Sequence, residues 1–84
     1  MSRKDKLIQR FLSRPKDFSW EELLILLSTF GFEEVSTGKT GGSRRRFVNA
    51  DAVVITLHKP HPRSILKTYQ VDQIIDVLTQ EGFL

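Results

Sequence analysis

The alternation of apolar and polar positions along the chain predicts its elements before any chemistry is considered. Between Lys4 and Leu12, the apolar residues Leu7, Ile8, Phe11 and Leu12 fall on one face of a short helix. Arg14 should end it, because the residue before Pro15 is pushed out of the α region. Phe18 to Gly31 carries the strongest helical pattern, with Trp20, Leu23, Leu24, Leu27 and Phe30 in one stripe. Ser19 and Glu22 have the spacing of a capping box, in which the hydroxyl accepts the N3 amide and the carboxylate reaches back. Phe18 and Leu23 stand at the two positions of a hydrophobic staple, and Gly31 fits the position just past the helix end. A last helix is predicted over Tyr69 to Gln80, where Val71, Ile74, Ile75 and Leu78 repeat at i, i+3, i+4 and i+7 and Gly82 follows as a stop.

The middle of the chain has β character. Phe32 to Thr37, Ser43 to Asn49 and Val53 to His58 read as strands, and the glycine-rich stretch from Thr37 to Gly42 reads as a turn. The Lys59-Pro60-His61-Pro62-Arg63-Ser64 segment cannot continue a central strand, since proline donates no ladder hydrogen bond. The order α-α-β-β-β-α predicts an α+β fold, with helices on one face of a three-stranded antiparallel sheet and the other face open.

Strand alternation assigns side chains to those two faces. Val53, Ile55 and Leu57 make the better core face of the third strand, which leaves Val54, Thr56 and His58 on the other. Phe47 is the residue of the second strand most worth burying. Ser43 and Arg45 share its side, while Arg44, Arg46 and Val48 take the opposite one. Pairing Phe47 with Ile55 satisfies both assignments and leaves the loop Ala50 to Ala52, with Arg46 opposite Thr56 and Arg44 opposite His58. A two-residue loop would pair Phe47 with Val54 and mix the faces.

Charge sharpens this picture. The net charge of +3 is distributed as +4 over Met1 to Asp17, −4 over Phe18 to Gly38, +6 over Lys39 to Lys67 and −3 over Thr68 to Leu84. Cationic charge is therefore concentrated on the hairpin, the footprint expected for a polyanion partner. Eighty-four residues make one domain, 1–84, with 1–17 as a basic helical extension and 18–84 as the core. No apolar run approaches the roughly 20 residues that span a membrane, and no export signal is visible, so the expected location is the cytoplasm. Cysteine is absent and there are two histidines, which points away from a metal site and from any cofactor.

Guanidinium groups bind phosphates through paired hydrogen bonds, and histidine is the residue type that titrates near neutrality. Lys39, Ser43, Arg44, Arg46, Lys59 and Arg63 are thus candidate phosphate-binding residues for a polyanion. His58, His61 and Arg44 are candidate catalytic ones. The competing reading is that the arginines keep an exposed strand soluble and discourage edge pairing, with each histidine in a surface or turn role.

At these residues the chain resembles the HicA family of toxins, small RNA-cleaving partners of HicB antitoxins. The resemblance runs from Trp20 to Leu84. It comprises a leading amphipathic helix ending at Phe30-Gly31-Phe32, a turn, a Gly-Ser-His-x-x-aromatic motif, a strand, a loop with proline and histidine, and a closing helix. Here the motif stands as Gly42, Ser43, Arg44, Arg45, Arg46 and Phe47. The resemblance implies a core like that of a double-stranded-RNA-binding domain, RNA as target and a HicB-like antitoxin as partner. The family's catalytic histidine falls on Arg44. Arginine stays protonated and cannot act as general base, though it can hold a phosphate. Two functions remain open: an mRNA-cleaving toxin whose acid–base chemistry comes from His58 and His61, and a non-catalytic RNA- or protein-binding module. Oligomeric state is not legible.

Overall fold

The computed structural model describes residues 3–35 and 44–84. The elements follow in the order α1 (Arg3–Leu12), α2 (Trp20–Thr29), β1 (Glu33–Val35), β2 (Arg44–Val48), β3 (Val54–His58) and α3 (Thr68–Gln80). The strands form one antiparallel sheet in the order β1-β2-β3. This is the α+β arrangement expected from the patterning. None of the described helices is long and apolar enough to cross a membrane.

The capping box at α2 forms as the spacing requires. Ser19 Oγ accepts the Glu22 amide at 3.1 Å, and Glu22 Oε1 accepts the Ser19 amide at 3.0 Å. At the other end Gly31 takes φ +84°, the left-handed conformation that costs glycine no steric penalty. Helix α1 ends before Pro15, as expected. Arg14 is left-handed at φ 55° rather than extended, and its amide bonds the Phe11 carbonyl at 3.0 Å. A tight helix-closing turn thus takes precedence over the extended preference of a residue before proline.

The core lies between the helices and one sheet face. It joins Phe11 and Phe18 to Leu23, Leu26 and Leu27 of α2, Phe47, Ile55 and Leu57 of the sheet, and Val71, Ile74, Ile75 and Leu78 of α3. Trp20, the first residue of α2, packs at a tilt on Phe47 with ring centroids 5.9 Å apart, which brings the start of α2 against the central strand. In α2 the buried stripe turns toward Leu26, which is fully buried, while Leu24 is only partly covered. In α1 Phe11 alone is fully buried, Leu7 and Ile8 are half-buried, and Leu12 is exposed.

Ion pairs pin α1 to the rest. Arg10 reaches Glu22 at 3.0 Å and Asp17 at 3.1 Å, and Arg14 bonds Asp72 of α3 at 2.7 Å. The hydrogen bond from Arg10, aided by that from Ser19, holds the Glu22 carboxyl below its ordinary range despite partial burial. A depressed carboxylate pKa adds stability that is present above the unfolded value and is lost as pH falls through the folded one. Glu22→Gln should therefore lower stability at neutral pH. The gap to the parent chain should narrow as pH falls below about 4, checked by urea unfolding across a pH series. A gap unchanged from neutral to acid pH would assign the loss to packing rather than charge.

Candidate nucleic-acid interface

The register of the hairpin decides which groups share the open face. Phe47 pairs with Ile55, Arg46 with Thr56, Arg44 with His58 and Val48 with Val54. Asn49 makes the odd-length turn that this register needs. Its Oδ1 accepts the amides of Asp51 at 3.0 Å and Val53 at 2.9 Å, and its own amide bonds the Val53 carbonyl at 3.2 Å. Asparagine favours such local bonds, a signal that the sequence reading passed over. Those bonds hold Ala52 at φ 62°, a left-handed conformation that is costly for alanine.

With β1 added, the open face is a small grid. One row holds Glu33, Val48 and Val54, the next Val35, Arg46 and Thr56, and the last Arg44 and His58. Arg44, Arg46, Thr56 and His58 are all exposed. Arg44 and His58 form a cross-strand pair of the kind without mutual ladder bonds, in which side chains approach most closely. The row nearest the hairpin turn sets exposed Glu33 beside Val48 and exposed Val54, and the cationic side chains Arg46 and Arg44 lie toward the far end.

Arg45 is separated from its two neighbours. It lies on the Phe47 side, half-buried, with Nε 3.4 Å from Glu34 Oε2. Three consecutive arginines thus split two to one between the faces.

The loop after β3 carries exposed His61 and Arg63 and half-buried Lys59, with Pro60 buried beneath them. Its far end is anchored, since Trp20 N bonds Ser64 O and Leu66 N bonds Phe18 O, each at 2.8 Å. Its near end is anchored by a residue that the sequence reading missed. Gln70 is 4% exposed; its Oε1 accepts the Lys67 amide at 3.0 Å, and its Nε2 donates to the His58 carbonyl at 2.9 Å. One buried amide therefore caps α3 and fixes the end of β3 beside His58. A glutamine three residues after a helix start was the available signal.

The structure brings Arg44, Arg46 and His58 onto one face, with Lys59, His61 and Arg63 in the loop that leaves it. Lys39 and Ser43 lie outside the described residues. Among the described residues no three His, Cys, Asp or Glu side chains gather as a metal cluster would require. The arrangement offers fixed positive charge to a phosphate, with an imidazole opposite one of the guanidinium groups.

Residues 20–82 match the family model described as HicA toxin of bacterial toxin–antitoxin systems. No curated protein and no solved structure matches the chain. The matched span begins at the first residue of α2, so α1 precedes it.

Proposed function

The chain belongs to the HicA family of bacterial toxin–antitoxin toxins, and from that premise we propose that it binds mRNA on the open face of its sheet, in the cytoplasm, and is neutralised there by a HicB-like antitoxin. The observation that supports this reading is the placement of Arg44, Arg46 and His58 together on the uncovered face. Arg44 and Arg46 take the phosphates, and Lys59 and Arg63 extend the track along the loop. Lys39 and Ser43 stay in the proposed binding set on their sequence positions alone. Cleavage uses His58 and His61. One imidazole takes the 2′-hydroxyl proton as its oxygen attacks phosphorus, and the other gives a proton to the departing 5′-oxygen. The products are a 2′,3′-cyclic phosphate and a 5′-hydroxyl. Arg44 stabilises charge on the phosphoryl oxygens.

A second reading has its own observation. Arginine stands at the motif position where the family has its catalytic histidine, and it cannot serve as a base. That substitution favours a module that binds RNA without cutting it.

Salt dependence tests the binding that both readings share. Arg44→Ala with Arg46→Ala should weaken binding to single-stranded RNA. It should also reduce the slope of log affinity against log salt by about 1.4, the value for two lost phosphate contacts. Arg45→Ala should change the slope little, because that side chain points to the helix side and meets Glu34. An Arg45 effect larger than that of the double variant would show that RNA does not use the open face.

A further inference from the structure

Among the described residues the outer edge of β3 is open, and the ladder pattern fixes which of its hydrogen-bonding groups face outward. Asn49 and Val53 form a hydrogen-bonded pair, so the alternation of an antiparallel ladder turns the backbone groups of residues 53, 55 and 57 toward β2. Those of Val54, Thr56 and His58 turn outward. The Gln70 bond to the His58 carbonyl agrees with this and closes that end of the edge. Val54 and Thr56 each keep an outward donor and acceptor that meet no partner among the described residues. Beside them, β3 and α3 bound a cleft of about 500 Å³ along the length of the strand. Its walls include Leu57, Val77 and Gln80, and Asp76 is its one charged lining residue among the described residues.

We propose that this cleft is a strand-addition site for an extended peptide segment of a partner protein, one that carries apolar residues and a basic residue on its helix-facing side. An antiparallel segment would use the four open groups of Val54 and Thr56 as a continued ladder. Its alternate side chains would lie against Leu57, Ile55 and Val77, and a lysine or arginine would meet Asp76. That charge disfavours a second copy of this chain as occupant, since two-fold pairing of β3 would bring two Asp76-bearing walls together with no basic residue between them. The site lies at the edge of the sheet away from β1 and leaves Arg44 and Arg46 uncovered, so it is independent of the RNA reading.

The test uses the full chain and an acetylated, amidated heptapeptide, Ser-Val-Thr-Val-Thr-Lys-Ser, followed by amide chemical shifts. Paired antiparallel, its two threonines face Thr56 and Val54, and their amides make the ladder. Binding should be saturable, with the largest shifts at Val54, Thr56 and Val77. N-methylation of both threonines should weaken it about tenfold or more, whereas N-methylation of both valines should leave it nearly intact. Asp76→Asn, and lysine-to-glutamate replacement in the peptide, should each weaken it severalfold. Thr56→Pro should also block binding, because the lost amide faces outward; the methylated peptides decide the matter if that variant does not fold. The proposal is overturned by an absence of saturable shifts at about 1 mM peptide, by shifts centred on Arg44 and Arg46, or by equal binding of the two methylated peptides. A dimer in sedimentation that Thr56→Pro dissolves would assign the edge to a second copy and overturn it equally.

Discussion

Leu27→Ala should lower folding stability by about 2–5 kcal/mol. Leu27 is 1% exposed and lies in the apolar layer that α2 presses onto the sheet. Truncation removes three carbons from water-free surroundings and leaves a cavity that the neighbouring Phe, Leu and Ile side chains fill only in part. A domain of this size has a total stability on the order of 5–15 kcal/mol, so the variant should melt roughly 10 °C or more below the parent. Ile25→Ala is the matched control. It lies two residues earlier in the same helix, is 58% exposed, and should stay within about 0.5 kcal/mol of the parent. Urea unfolding with unchanged m-value measures both. A loss below about 0.5 kcal/mol for Leu27→Ala would contradict the core described above.

His58→Gln should reduce RNA cleavage by about 10²–10⁴-fold while leaving RNA affinity nearly unchanged. Glutamine keeps a polar side chain on the open face and adds or removes no fixed charge, but it carries no titrating proton. The Gln70 bond goes to the His58 backbone carbonyl, so the substitution leaves that anchor in place. Joint His58→Gln and His61→Gln replacement should remove what activity remains. Cleavage that survives in the double variant would end the two-histidine mechanism. A parent chain that binds RNA with a steep salt slope and never shortens it would establish the binding module instead.

The parts of the fold legible from the chain are those that local rules govern. The period of the apolar residues placed all three helices, and the capping box appeared at Ser19 and Glu22 because both partners lie within one helical turn. The hairpin register followed from two constraints that the sequence states by itself: side chains alternate strictly along a strand, and Phe47 and Ile55 must both be buried. That register carried the open-face grouping of Arg44, Arg46 and His58 and the isolation of Arg45.

What the chain alone could not decide depends on which surfaces meet. A helical stripe is broader than the contact that covers it, so burial of Leu26 over Leu24, and exposure of Leu12, follow from where α2 and α1 come to rest. Gln70 binds a carbonyl 12 residues away, and Arg14 meets Asp72 across 58 residues. No periodicity links such positions, because each partner is chosen by the packing of α3 against β3 and α1. The cleft beside β3 has the same origin. The sequence determined that Val54, Thr56 and His58 share a face, and only the docking of α3 decided that Gln70 would close one end of that edge and Asp76 would overlook the rest.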